Sequence, residues 1–186
     1  MKADLVSKKG TWREVADCAN VTINKGEGNN EPSSKWKKRM LLCEHSPIRI
    51  LFFDFKWTEL KYWVSVHLVR HKIGIEHFVR TQRSDRSGVD RDGLRQDSPV
   101  EHRISVNAQA MISISRKRLC MNASPETREA WTAVVEKLKE SENELYNVCV
   151  PDCIYRGWCY EYKSCGYFNT EAFQKRLAGY REGINS

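Results

Sequence analysis

The run Ile48-Arg49-Ile50-Leu51-Phe52-Phe53-Asp54-Phe55-Lys56-Trp57, entered from Pro47, is the most strand-like stretch of the chain. It is rich in β-branched and aromatic residues, and its second half alternates apolar with polar. Thr58 follows, and then Leu60, Trp63, Val64, Leu68 and Val69 recur with a 3.6-residue period. That period predicts a helix from 59 to about 72 that delivers Arg70-His71-Lys72 in its last turn, where cations suit the helix dipole.

Upstream, Thr11 stands three residues before Glu14 in a capping-box spacing, and Val15, Ala16 and Ala19 share a face, so a short helix is expected from 12 to 20. The polar turn residues from Lys25 to Pro32 read as a loop, and Ser33-Ser34 caps a helix expected from 34 to 44. Downstream, residues 80–103 carry Arg80, Arg83, Arg86, Arg91, Arg95, His102 and Arg103 and almost no apolar residues. A structureless loop of that length inside a domain is uncommon unless functional, so it is expected to be a substrate lid. Val106, Ala110, Met111, Ile114 and Leu119 fit a helix from about 105 to 120. Ser124-Pro125-Glu126 opens another, to about 140, with proline at the first helical position. A cysteine-rich irregular stretch follows from 149 to 168, and Asn169-Thr170-Glu171 opens a last helix to about 178.

The 186 residues carry a net charge of +7, with 40% hydrophobic and 30% charged residues, which excludes a disordered tail, a collagen-like chain and a membrane bundle. At this length folding buries roughly 70% of the unfolded chain's surface, so a core forms without staples. No apolar run approaches the ~20 residues of a membrane span, and the start shows no signal-peptide pattern, so a cytoplasmic location is expected. Seven cysteines cannot close into disulfides within one chain, and in a reducing compartment clustered thiols read as metal or reactive sites.

Arg70 and Arg118 lie in otherwise apolar helical patterns, where a charge faces either solvent or a bound anion. Arginine forks match phosphate and carbonyl oxygens better than lysine does. His67 and His71, four apart on the expected helix, could grip a metal, but no Glu follows the first and Arg70 beside them repels a cation. Hydrogen bonding to a ligand suits them better. There is no G-x-S-x-G nucleophile elbow, and Gly26-Glu27-Gly28 lacks the third glycine of a dinucleotide loop. Cys149, Cys153, Cys159 and Cys165 place four thiols within a short span, which is the tetrahedral zinc number, although buried free cysteine is equally common. Trp158, Tyr160, Tyr162, Tyr167 and Phe168 interleave with them as packing or as a stacking surface.

Two blocks resemble the flavin-dependent thymidylate synthases. Arg70-His71-Lys72, preceded by His67 and by His45-Ser46-Pro47, is similar to the family's R-H-R signature, with Lys72 in the third place. The signature's following serine and arginine match Thr81-Gln82-Arg83 if one residue is inserted. Asn107-Ala108-Gln109, leading through Ser113 to Arg118 and on to Ala123 and Glu126, resembles the second conserved helix, N-A-R-S and then A-Q-W-E. Gln109 stands for an arginine there and Pro125 for the tryptophan, and the interval between the two blocks is much shorter than in well-known members.

The resemblance implies an α+β fold, with a small, mostly antiparallel sheet packed with helices. Residues 1–148 would form the synthase-like domain, and 149–186 a cysteine-rich segment and terminal helix packed upon it. It implies a homotetramer with shared sites that methylates dUMP to dTMP. Methylenetetrahydrofolate would be the carbon donor and FAD the hydride carrier, reduced by NADPH. Carried over by motif, Arg70 touches nucleotide and flavin, His67 and Arg118 the base, and Arg83 the phosphate. Ser46, His71, Lys72, Asn107 and Ser113 line the flavin. The competing expectation, drawn from the +7 charge, the arginine-rich segment and the aromatic tail, is a nucleic-acid-binding or regulatory protein on the same fold without turnover.

Overall fold

Phe53, Phe55 and Trp57 alternate along the quoted run and are fully buried, which makes that run the centre of a sheet. The computed structural model describes residues 1–28 and 30–182. Its strands are β1 (Lys2–Lys9), β2 (Phe52–Lys61), β3 (Ile75–Val79) and β4 (Pro99–Asn107), all antiparallel in the order β1-β2-β4-β3. The helices are α1 (Trp12–Val21), α2 (Ser34–Leu42), α3 (Tyr62–Leu68), α4 (Ser84–Ser87), α5 (Ala108–Arg118), α6 (Pro125–Glu136), α7 (Asn143–Val148), α8 (Asp152–Arg156) and α9 (Glu171–Arg181). The fold is α+β, as the resemblance implies.

The core lies between the apolar face of β2 and β4 and the helices α5 and α6. Each aromatic ring withdrawn there stabilises the fold by about 1.5–3 kcal/mol. The indole N–H groups find acceptors, as burial requires: Trp57 Nε1 donates to the Ala130 carbonyl at 3.0 Å, and Trp131 Nε1 to Ser115 Oγ at 2.9 Å. On the other face of β2, Asp54 accepts from Ser7 Oγ at 2.9 Å and Arg103 Nη2 at 3.0 Å. Burial pulls that carboxyl upward, but its hydrogen bonds to Ser105, Ser7, Arg103 and Lys9 outweigh burial and bring it to about 2. Val150, Ile154, Phe173 and Leu177 form a smaller cluster that joins α8 to α9.

Several elements depart from the sequence pattern. Residues 46–50 form a 3-10 turn, because Pro47 favours a tight entry and Ile48 drops into the core. Strand β2 therefore starts at Phe52, and it runs on to Lys61, because a bulge between Trp57 and Leu60, with Glu59 at φ 56°, lets Leu60 and Lys61 pair with Val100 and Pro99. Helix α3 is correspondingly short and ends before Arg70, so His67 and His71 do not share a helix face. The expected lid shrinks too. Residues 99–103 belong to β4, and the exposed connection before them contains α4 and a 3-10 turn at Arg91–Gly93. Asn107 is the N-cap of α5, its Oδ1 accepting from the Ala110 N–H at 2.9 Å, so that helix begins later than its apolar pattern suggests. Helices α1 and α2, with caps at Thr11 and Ser33, and α6, with Pro125 in its first turn, begin where their signals place them. Within the expected loop and tail, Asn29 and residues 183–186 lie outside the described residues.

Candidate functional site

Arg118 stands at the last position of α5 and is half-buried. Its Nε donates to His71 Nε2 at 2.8 Å and its Nη2 to the His67 carbonyl at 2.7 Å. Two fixed contacts on one planar group set its orientation. Burial, and then the charge of Arg70, lower the proton affinity of Arg118 below the usual arginine range. Among the described residues no carboxylate pairs with Arg70, Lys72 or Arg118, so this edge of the molecule is cationic and uncompensated.

The histidines behind the fork define their own protonation. His71 Nε2 accepts from Arg118, so that nitrogen carries no proton. Burial, the Arg118 charge and His77 hold His71 down at about 4. The His71 carbonyl in turn accepts from His77 Nε2 at 2.9 Å, which leaves His77 Nδ1 as the acceptor for His102 Nε2 at 3.0 Å. His102 is fully buried, its Nδ1 has no partner, and burial and then His77 hold it at about 4. A chain of neutral imidazoles thus runs from the core of β4, across β3, to the arginine. On the other side, His67 Nδ1 lies 3.0 Å from Thr127 Oγ1 on α6, and its ring stands edge-on to Trp63.

A turn at Gly74 places His71 opposite α5. Gly74 has φ 71°, a Cβ there would fall 2.7 Å from Asn107 Nδ2, and its carbonyl accepts from the Asn107 N–H at 2.9 Å. Only glycine fits without displacing that cap. Gln109 and Arg116, both on α5, hold the Glu44 carboxylate, which pins the segment bearing His45 and the exposed Ser46 to the same helix.

The structure brings His67, His71 and Arg118 together, with exposed Arg70 and Lys72 beside them. Asn107 abuts the Gly74 turn, while Ser113 is exposed and donates to the Gln109 carbonyl at 2.9 Å. Arg83 is exposed and paired with Asp85, Nε and Nη2 donating at 2.9 and 2.7 Å. It lines an open groove of about 500 Å³ with Tyr62, Arg80 and Arg91. Arg95 donates to Asp97 in the same manner, whereas Arg91 only nears its neighbour Asp92 at 3.9 Å, so Arg83 and Arg95 of the arginine-rich segment are closed on their own carboxylates. The sequence reading missed Thr127, His77 and His102. The alternation Ile75, His77, Val79 was a signal for β3, but the meeting of His77 with His102 needs the strand pairing.

The thiol expectation needs correction. Cys149 is fully buried, its thiol pushed up to about 12 by burial, and it faces Ser115 rather than the other cysteines. In its place Cys120, from the end of α5, lines a cavity of about 160 Å³ with Cys153, Cys159 and Cys165. Burial raises the Cys120 and Cys153 thiols as well, and their neighbouring cysteines add to it. Among the described residues no three His, Cys, Asp or Glu side chains are grouped so that they could hold a metal ion, and this applies to the Cys149 tetrad, to the cysteines of the cavity and to the histidines alike.

The α+β arrangement of the four-stranded antiparallel sheet and its helices is the fold of solved flavin-dependent thymidylate synthases. Thymidylate synthase X (ThyX) from Helicobacter pylori, crystallised with FAD and dUMP, superimposes with a TM-score of 0.68 and 12% identity, covering 81% of this chain and 99% of that one. A UMP/dUMP methylase, PolB from Streptomyces cacaoi, bound to 5-Br dUMP, gives a TM-score of 0.62 at 12% identity over 79% of this chain and 93% of that one. At this identity the likeness is one of fold. No family model matches the sequence, and no curated protein matches it. Among the described residues no helix is long and apolar enough to cross a membrane.

Proposed function

We propose that the protein methylates a pyrimidine deoxynucleotide, dUMP to dTMP, as a compact relative of the flavin-dependent thymidylate synthases. The observation that carries the proposal is the Arg118 fork, held by His71 and the His67 carbonyl, on a fold shared with proteins crystallised with FAD and dUMP. The residues fit such ligands: among the described residues no carboxylate is paired to Arg70, Lys72 or Arg118, which offer donors and positive charge to phosphates and pyrimidine carbonyls.

When bound, FAD reduced by NADPH supplies the hydride, and methylenetetrahydrofolate the one-carbon unit. The chain's own task is positioning and charge stabilisation. Arg118, its Nε and Nη2 already engaged, presents its remaining edge to a pyrimidine carbonyl and stabilises the negative charge that builds there. Neutral His71 keeps the fork in place without adding a competing cation. His67 borders the base, and Arg70 spans nucleotide and flavin. Ser46, His71, Lys72, Asn107 and Ser113 border the flavin. Arg83 reaches the phosphate by exchanging Asp85 for it, which costs little because an exposed ion pair contributes about 0–1 kcal/mol.

Val66 and Ile73 flank Arg70 and are exposed, Ile73 at 90%, which supports a homo-oligomer, a tetramer in the proposal, whose neighbouring copy completes the site. The free cysteines support a reducing, cytoplasmic setting.

The test is a flavin titration followed by absorbance, with and without dUMP. A bound flavin whose spectrum responds to the nucleotide, and dTMP formed on adding methylenetetrahydrofolate and NADPH, are the expected results. Absence of flavin binding would leave a fold without its chemistry and favour the nucleic-acid-binding or regulatory reading.

A further inference from the structure

Arg118 is not the only guanidinium that is oriented without a carboxylate. Arg128, half-buried on α6, donates from Nη1 to the Met121 carbonyl at 3.0 Å, which fixes the fork and leaves its other N–H groups for a partner. Lys38 of α2 donates to the Glu182 carbonyl, and Arg176 stands exposed on α9. Among the described residues no carboxylate lies within ion-pair distance of Lys38, Arg128 or Arg176.

These three cations, from three different helices, line one cavity of about 740 Å³. A space of that size falls in the range of roughly 300–1,000 Å³ that encloses small organic ligands. The apolar part of its wall comes from Leu119, Met121, Val135 and Val150, and the rings of Tyr146 and Tyr180 border it. Two carboxylates share the wall: Glu136 accepts from Tyr146 Oη at 3.2 Å, and Glu182 is exposed. Three cations against two carboxylates leave the lining positive. His67, Arg70, His71, Lys72 and Arg118 are not part of it, so this cavity is separate from the cationic edge assigned to the nucleotide.

Gly179 supplies a second observation. It lies inside α9 and on the wall of the same cavity. Glycine inside a helix destabilises it relative to alanine, and nothing here demands it, because a Cβ at 179 would meet no atom within 4 Å. What the bare position preserves is room at the cavity wall.

We propose that this cavity binds a small organic anion, an aryl carboxylate or aryl phosphate, with its oxyanion toward Arg128 and Arg176 and its ring against the apolar wall and the tyrosines. Planar guanidinium forks suit both oxyanions, and the flat rings suit an aryl body. The site is independent of the nucleotide reading, and stands or falls without it.

Calorimetric titration of the full chain with benzoate and with phenyl phosphate is expected to show saturable binding of at least one of them, at about one molecule per chain. Benzyl alcohol lacks the oxyanion and inorganic phosphate lacks the ring, so both should bind at least about tenfold more weakly. Arg176→Gln changes an exposed side chain and should weaken the bound probe at least about tenfold. Gly179→Leu should exclude the probe while raising the thermal melt, since leucine favours the helix. Arg118→Ala should leave the affinity unchanged. Failure of both probes to bind the wild-type protein would overturn the proposal. So would undiminished binding in Gly179→Leu or Arg176→Gln, control compounds as tight as the probes, or loss of the probe in Arg118→Ala, which would move the anion to the cationic edge.

Discussion

Arg118 and Arg83 are both arginines that the sequence motifs single out, and their surroundings are opposite. Arg118 is half-buried and donates to a neutral imidazole and a carbonyl, so its charge is oriented but not cancelled. Arg83 is exposed and closed on Asp85 two residues away, as Arg95 is on Asp97. The motif Arg-x-Asp repeats along the connection before β4, and it turns a run of arginines into short ion pairs. Counting arginines therefore overstates how much positive charge a ligand meets. What matters is which guanidinium lacks a carboxylate.

The largest test of that contrast is Arg118→Ala. It removes a charge-assisted contact of about 1.5–3 kcal/mol, so dUMP affinity should fall roughly 10- to 150-fold by calorimetry while the thermal melt stays cooperative. Unchanged affinity would remove the nucleotide from this site.

Acid should separate the two regions next. His71 and His102 are held at about 4 in the fold, below their ordinary 6.5. The unfolded chain therefore takes up those protons first, and stability that is full above pH 6.5 drains away as pH falls toward 4. With His71 half-buried and His102 fully buried, the loss is on the order of a few kcal/mol, read as a falling urea midpoint. Asp54, at about 2, keeps its contribution until the pH drops below the ordinary carboxylate range near 3.8. A urea midpoint flat from pH 7 to 4.5 would mean that the imidazole chain is not neutral.

His71→Ala leaves Arg118 charged but loosely held. A lost orienting hydrogen bond of about 1 kcal/mol predicts roughly fivefold weaker dUMP binding. An effect as large as that of Arg118→Ala would give His71 a direct contact instead. The smallest effect concerns the loop. Asp85→Asn frees Arg83, and because an exposed pair is worth about 0–1 kcal/mol, dUMP affinity should rise by at most about fivefold. A drop in affinity would break the exchange assigned to Arg83.

The same contrast explains how much was legible in the sequence. Phe53, Phe55 and Trp57 announced β2, and the caps at Thr11 and Ser33 and the Ser124-Pro125 step announced three helix starts, because each signal is local. β4 was hidden, since a fully buried His102 occupies a position where alternation calls for an apolar residue, and Glu101 and Arg103 flank it. Arg118, His71 and His67 could be named from motifs. Their hydrogen bonds could not, for these depend on the turn at Gly74, nor could His77 and Thr127, which reach the site from other elements. Among the cysteines, spacing grouped Cys149 with its sequence neighbours, whereas the fold substitutes Cys120, because the end of α5 lies against the segment.

The contact between Gly74 and Asn107 has a consequence for the order in which the molecule matures. Asn107 starts the helix that ends in Arg118, and Gly74 ends the turn that carries His71, so one hydrogen bond joins partners far apart in sequence. Closing the loop between them costs ordering entropy, which the docked sheet must offset before the site is complete. A newly made chain with its helices formed but β3 not yet docked on β4 holds every site residue and no binding surface. Ligand affinity is thereby tied to completion of the sheet, and capture of a nucleotide would report that folding has finished.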